Sequence, residues 1–386
     1  MRRVRLLALL SFDASAMRLL NSPVSRTFQA QDSNTDARRP PLTVFRTLCL
    51  YFLLVSTALA QQSIKTLQPN PPGASRDSVS RDPALAQTSS LVDQGKAVEA
   101  EPFLRAYLKT HPDSAEAHFL LGLDLFRQIQ EQARDSSVRP AGSAPGPDTA
   151  SRAKASLDEF TSGARYGKPS SADLKIVALD YILLGDYPDA DKWLTKMLEG
   201  TPSDSEGWYY LGRTKYNENR FEEAVRAFQQ SLNLDPKNPK TEDNLGLALA
   251  GLGRADEALS AYHTAIQWQK DAPAQNPGPF IDLANLLLDQ SRSTEAIPYL
   301  DKAVQIAPQD SKAHELLGKA YARLDRFPQA QAELEKAADL APQNANLPCM
   351  LGPIYRKQGL TEKAKIALDR CTFLNGTHSS PEKPRS

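Results

Sequence analysis

Between residues 205 and 238 apolar side chains recur at intervals of three and four. Leu211 and Gly212 share one face of a first segment, and Ala224, Phe228 and Ser231 fall at i, i+4 and i+7 on one face of a second. This is helical spacing. It predicts two helices of about 14 residues each, broken at Asn217-Glu218-Asn219-Arg220 and ended by Pro236, which cannot extend a helix.

The same pattern returns every 34 residues. Leu211-Gly212 recurs as Leu245-Gly246, Ala224 as Ala258 and Phe228 as Tyr262, while Ala190, Leu194 and Pro202 precede Ala224, Phe228 and Pro236 by that interval. Leu317-Gly318, Tyr321, Ala330 and Leu334 return as Leu351-Gly352, Tyr355, Ala364 and Leu368. A fixed period of this length signals stacked units, none of which can bury its apolar face alone. With Ser205 as slot one, the repeats are 171–204, 205–238, 239–272, 277–310, 311–344 and 345–378, with four extra residues at 273–276. Upstream, 81–114 fits through Ala100, Leu104 and Pro112. His118, Leu121-Gly122 and Leu125 open a further repeat, 115–170, whose second helix is expected near Arg152–Arg165 after a polar insertion at 130–151. Small residues at Gly212 and Ala224 let paired helices approach, and Trp208 and Phe228 fill the space beside them.

Trp208, Leu211, Gly212, Phe221, Ala224, Phe228 and Pro236 give the chain its resemblance to the tetratricopeptide repeat family, over about three quarters of its length. The resemblance implies an all-α fold, a right-handed α-solenoid of stacked helix-turn-helix repeats, eight in number. Pro102 and Pro298 share one slot in an early turn of a second helix, where a missing N–H costs little. Pro348 and Pro353 fall in the first helix of the last repeat, which is expected to be kinked or shortened, as suits a terminal cap.

The one long apolar run, Leu48–Val55, is too short to span a bilayer. Arg46 precedes it and Ser56-Thr57-Ala58-Leu59-Ala60 follows, so residues 1–60 read as a leader with a signal peptide cleaved after Ala60. The protein is then expected to be exported, periplasmic or secreted, with no integral membrane span after cleavage. Because some forty polar, Arg-bearing residues precede the run, the start is expected downstream of Met1, with Val44 as a GTG start. Residues 61–80 read as a disordered linker and 379–386 as a disordered tail, both poor in large apolar side chains.

Charge alters this picture little. The 386 residues carry 46 Lys+Arg and 46 Asp+Glu, for a formal net charge of zero. The leader holds eight of the basic and three of the acidic residues, so the remainder carries 38 against 43, a net of −5. A mildly acidic chain gives no footprint for nucleic acid.

No catalytic constellation is present, and a non-enzymatic protein without cofactor or metal is expected. His314-Glu315 opens half of a zinc-protease helix motif, but Gly318 stands where the second His is needed. His314 occupies the slot of Trp208 and is expected to be a packed structural histidine. Cys349 and Cys371 lie in slots five and twenty-seven, at similar heights on paired helices. They are candidates for a disulfide in an oxidising compartment, the alternative being two small buried residues.

The remaining chemistry is surface chemistry. The resemblance implies that first helices line a concave groove that holds a peptide or partner segment. The groove-facing slots are apolar in the second and third repeats, where Phe126 and Ile182 are candidates, although packing between neighbouring first helices is the rival reading. The fourth repeat offers Tyr209, Arg213, Tyr216 and Asn217, a set typical of interface anchors. The last two offer Lys319, Arg323 and Arg356, unless these form a solvated face. Some relatives clamp chaperone C-termini with a Lys/Asn/Lys/Arg set. Lys175 stands in a suitable slot here, but Leu179 replaces the Asn. The expected function is a non-catalytic scaffold that binds a protein or peptide partner in the envelope or outside the cell. The alternative is a substrate-presenting accessory subunit of a separate envelope enzyme such as a glycosyltransferase or protease; a structural homo-oligomer is a third reading.

Overall fold

The structure is a computed structural model, and it describes residues 82–135 and 148–376. The leader, the linker, the middle of the 130–151 insertion and the tail lie outside the described residues. Among the described residues every regular element is a helix, and the sixteen helices fall into two compact units. The first holds α1 (Pro83–Asp93), α2 (Ala97–Thr110), α3 (Ala115–Asp135), α4 (Asp148–Gly163), α5 (Ser171–Leu184), α6 (Tyr187–Gly200), α7 (Ser205–Asn217) and α8 (Phe221–Leu234). The second holds α9 (Pro239–Gly251), α10 (Ala255–Trp268), α11 (Gly278–Asp289), α12 (Ser293–Ile306), α13 (Ser311–Arg323), α14 (Phe327–Leu340), α15 (Asn346–Lys357) and α16 (Thr361–Gly376). Within each unit every helix packs on the next, and first helices also touch first helices of neighbouring repeats, as α3 with α5 and α11 with α13.

Local signals set the boundaries. The residue before a first helix accepts hydrogen bonds from its free N–H groups: Asp204 from Gly207 at 2.9 Å, Asn238 from Thr241 at 3.1 Å, Asp310 from Ala313 at 3.0 Å. Ser170 forms a full capping box with Asp173. The turn between paired helices is the same in seven repeats. Slot fifteen is left-handed at Gly95, Gly185, Asn219, Gly253, Ser291, Asp325 and Gly359, with φ between 55° and 77°. The next N–H then reaches back along the first helix, as Arg220 to the Lys215 carbonyl at 2.9 Å, which closes that helix in a Schellman motif.

Slot eight holds the paired helices together. A Cβ built on Gly212 would lie 2.6 Å from the Phe228 ring, and one on Gly246 would lie 2.6 Å from Tyr262. Gly318 meets Leu334 and Gly352 meets Leu368 at the same 2.6 Å. Gly122 meets Phe160 at 2.8 Å, although Phe160 lies 38 residues further on where the other partners lie 16. The insertion thus leaves the contact intact. It is also partly helical: α3 continues through 130–135 and α4 starts at Asp148, four residues before the expected Arg152. Good helix formers extend α3, and Asp148 pairs with Arg152 at 2.7 Å across the first turn of α4. In the last repeat, α15 runs unbroken through Pro353 but spans only 12 residues.

The first unit buries acids in its first-helix layer. Slot ten holds Asp124, Asp180 and Thr214, all fully buried, each with one oxygen that has no hydrogen-bond partner among the described residues. Ser156 Oγ lies 2.9 Å from the Gly122 carbonyl and 2.6 Å from Asp180 Oδ2. A hydroxyl has one hydrogen and the carbonyl can only accept. Both contacts are satisfied when Asp180 is neutral and donates to Ser156, which donates to Gly122. Burial pushes the Asp180 carboxyl well above its ordinary value, with the Ser156 contact opposing. Burial also raises Asp124, to about 7, against a Gln128 hydrogen bond and with Glu101 and Glu131 adding repulsion.

For an acid raised in the folded state, the native chain holds the proton that the unfolded chain releases. The stabilisation is present below pH 4 and is lost as pH rises towards 7. Asp124→Asn should therefore gain stability over wild type as pH rises from 4.5 to 8, by about 2 kcal/mol after discounting for solvent screening. Urea unfolding at both pH values measures this, and a difference that stays constant with pH would contradict it.

Candidate functional site

The candidate residues are divided between the two units. In the first, Phe126 of α3 and Ile182 of α5 are buried in the first-helix layer. Tyr209, Arg213 and Tyr216 project from α7 but are also drawn in, with exposures of 5, 8 and 8%. Tyr209 packs edge-on against Tyr210, centroids 5.3 Å apart, and tilts over Phe228 at 6.1 Å. The Arg213 guanidinium lies 5.8 Å from the centre of the Tyr209 ring. It also lies near Tyr187 of α6, whose phenol is raised by burial, an effect Arg213 opposes. Tyr216 turns the other way, to Phe221 at 5.5 Å, where α8 begins. Asn217 ends α7 and is partly exposed. The structure thus pairs Tyr209 with Arg213 and places Tyr216 against a different neighbour.

The same unit holds an ionic layer that periodicity does not reveal. Lys175 of α5 donates to Asp204 at 3.0 Å and to Glu206 at 2.6 Å. Burial alone would lower its ammonium, but Glu206 and Asp204 outweigh that and raise it. Lys215 meets Asp191 of α6 at 2.5 Å, and Arg220 joins the same carboxylate at 2.8 Å and Glu223 at 2.6 Å. These contacts tie α6, α7 and α8 around Asp191. One part was legible: a basic residue in slot sixteen with Glu three residues on recurs as Arg254–Glu257 and Arg292–Glu295. The cross-repeat partner Asp191 was not, because nothing in one repeat specifies it.

In the second unit, Lys319 and Arg323 of α13 face the end of α11. Arg323 Nη1 donates to the Leu288 carbonyl in the last turn of α11, which also accepts from the Ser291 N–H at 2.9 Å. Lys319 is half-buried; burial lowers its ammonium, and Asp289 opposes the shift. Burial raises Asp289 despite the nearby Lys319, Arg323 and Lys312. Arg356 stands exposed on α15, the next first helix along.

His314 is a structural side chain. Its Nε2 lies 3.1 Å from the Pro308 carbonyl and its Nδ1 2.7 Å from Glu333. Both partners accept, so both ring nitrogens carry hydrogen, and Glu333 accordingly raises the imidazole above its ordinary value, against burial. The slot works alike elsewhere: His118 reaches the Pro112 carbonyl at 3.1 Å, and Trp208 donates to that of Pro202 at 2.9 Å. Each ring fastens a first helix to the proline turn six residues before it. Cys349 and Cys371 are joined in a disulfide between α15 and α16, their Cα atoms 5.0 Å apart. Among the described residues no cluster of His, Cys, Asp or Glu is arranged to hold a metal, and no helix is long and apolar enough to cross a membrane. What the first-helix surface can offer chemically is hydrogen bonding, ring stacking and charge.

Comparison with known proteins agrees with this geometry. Profiles described as Tetratricopeptide repeat match residues 85–130, 205–238, 249–320 and 287–347. The chain is 27% identical over 123 residues to cell division cycle protein 27 homolog B of Arabidopsis thaliana, covering 32% of this chain and 16% of that protein. It is 24% identical over 128 residues to cytochrome c-type biogenesis protein CycH of Pseudomonas aeruginosa, covering 32% of this chain and 30% of that one. The matched stretches thus span less than a third of these relatives. A solved tetratricopeptide repeat protein from Parabacteroides merdae aligns with a TM-score of 0.53 at 17% identity, covering 70% of this chain and 97% of that one, which is a likeness of fold.

Proposed function

We propose a function from one premise: the chain is a tetratricopeptide repeat protein. Arrays of this kind serve as protein–protein interaction scaffolds, because stacked first helices give a long surface with few constraints on its side chains. The finer reading is that this chain holds a segment of a protein or peptide partner against its first helices and does no chemistry on it. The observation that carries it is the Arg213–Tyr209 pair on α7, a guanidinium over an aromatic ring. Arginine and tyrosine anchor interfaces because each combines a large apolar surface with directional donors. The pair is largely buried, so a partner engages it by replacing contacts the two side chains make now.

Replacing Arg213 with Ala should weaken partner binding about thirtyfold, as for a hot-spot side chain. The thermal midpoint should stay within a few degrees, and Arg226→Ala on the exposed face of α8 should leave binding unchanged. Binding by Arg213→Ala that equals wild type would refute the site. Tyr209 is a poorer probe, since truncating it also strips packing from Phe228.

The reading includes export to the cell envelope or beyond. It is supported by the basic, apolar and small-residue pattern that ends at Ala60 and by the Cys349–Cys371 bond, which suits an oxidising compartment. Protein recovered from the envelope or medium should begin at Gln61 and titrate no free thiol. A chain that stays in the cytosol with both thiols free would contradict export.

A further inference from the structure

The last helix inverts a polarity pattern that earlier second helices set. In those repeats slot twenty-eight, which faces the following repeat, is apolar: Leu198, Leu232, Ile266 and Val304 are examples. In α16 it is Thr372. That change makes polar a slot that is apolar in those earlier repeats. The outward slots twenty-two and twenty-nine change the opposite way. They are polar and exposed as Lys192 and Glu199 on α6, as Arg226 and Asn233 on α8 and as Ser260 and Gln267 on α10. On α12 and α14 slot twenty-two is Pro298 and Ala332, while slot twenty-nine stays polar as Gln305 and Asp339. On α16 both are large and apolar, Ile366 and Phe373. These two side chains are 66% and 64% exposed. They stand seven residues apart, two turns, and so form one stripe along the helix.

Charge borders the stripe asymmetrically. Lys363 and Arg370 lie on the flank nearer α14: Lys363 Nζ is 3.4 Å from Glu335, and Arg370 donates to the Pro342 carbonyl at 3.0 Å. Glu362 and Asp369 fall on the opposite flank by helical spacing. A stripe with a basic edge and an acidic edge is complementary to itself in only one of the two symmetric arrangements. A two-fold axis running along the helix places each basic edge against the partner's acidic edge, with Ile366 on Ile366 and Phe373 on Phe373. A two-fold axis across the helix would set basic against basic and acidic against acidic. The first is the parallel pairing of a coiled coil, with apolar side chains at the seam and opposite charges beside it.

We propose that two copies of this chain associate side by side through α16, parallel, about a two-fold axis along that helix. The polar outward slots of α6, α8 and α10 offer no such seam, and the α15–α16 disulfide holds the helix that presents the stripe. The contact is independent of how the first helices bind a partner. A stripe of this size is at the low end of specific interfaces, so dissociation is expected in the micromolar range, about 1–100 µM.

Sedimentation equilibrium of the full chain from about 1 to about 500 µM reads the association directly. Wild type should pass from monomer to dimer. Ile366→Asp with Phe373→Asp should remain monomeric with an unchanged thermal midpoint, since both residues are exposed. A chain carrying Lys363→Glu and Arg370→Glu, and another carrying Glu362→Lys and Asp369→Lys, should each lose dimerisation alone and recover it when mixed. Phe373→Cys should cross-link to itself on mild oxidation, as the parallel arrangement requires. A wild-type monomer at every concentration overturns the proposal. So does a dimer that survives the double aspartate substitution, or charge variants that fail to recover on mixing.

Discussion

In five repeats the contact between the slot-eight glycine and a large side chain of the paired helix sets the spacing on which the other features depend. Five glycines stand where any Cβ would lie 2.6–2.8 Å from a side chain of the paired helix. Phe228, fully buried, fills the place that the Gly212 side chain would need. This spacing is what brings Ser231 Oγ to the Ser205 carbonyl at 2.7 Å. In the seventh repeat the same two slots meet with donor and acceptor exchanged, Ser311 Oγ giving to the Ala337 carbonyl at 3.1 Å. The bond survives the exchange because geometry, and not residue identity, places the slots together. The repeat therefore tolerates wide change elsewhere, including a 22-residue insertion between Gly122 and Phe160.

That tolerance leaves the first helices free to carry chemistry, and at slot ten the two units differ. The first unit places acids and a threonine at slot ten and ties its second helices to first helices with ions. In the second unit the same slot is apolar, as Ala248, Ala320 and Ile354. Burying Asp124 and Asp180 costs stability near neutral pH, and no contact among the described residues recovers all of it. Polar groups held in this way specify which faces meet, because an acid with one satisfied oxygen has few alternative sites. A scaffold must present a fixed surface, and its fixed points are the slot-four rings of His118, Trp208 and His314, the caps at Ser170, Asp204, Asn238 and Asp310, and the left-handed turn.

Much of this was legible in the sequence because it repeats. The 205–238 copy predicted two helices, and α7 and α8 start where the pattern starts. His314 could be set aside as a metal ligand because Trp208 holds its slot, and the structure shows both rings bonded to a proline carbonyl. Pro102 and Pro298 are the sixth residues of α2 and α12, past the first turn whose N–H groups lack partners, so each removes an intrahelical hydrogen bond and the expected cheap placement is corrected. The candidate site was less legible. Slot number says which way Tyr209, Arg213 and Tyr216 point, but burial depends on what neighbouring helices bring, and all three are drawn in. The same limit hid the Asp191 hub and the bond from Arg323 to Leu288. Polar composition hides the helical entry to the insertion, although Gln130 and Glu131 are good helix formers.

Five of the eight repeats close on a bare Cα, at Gly122, Gly212, Gly246, Gly318 and Gly352, set against a large side chain of the paired helix. A double-mutant cycle on Gly212→Ala and Phe228→Ala, followed by urea unfolding, tests it most directly. Gly212→Ala should cost about 2 kcal/mol by overpacking and Phe228→Ala about 4 kcal/mol by cavity formation. With the ring gone the added methyl has room, so the double variant should cost less than the two single costs combined by more than about 1 kcal/mol. Strict additivity would mean that the methyl and the ring do not compete for the same space, and would contradict the account.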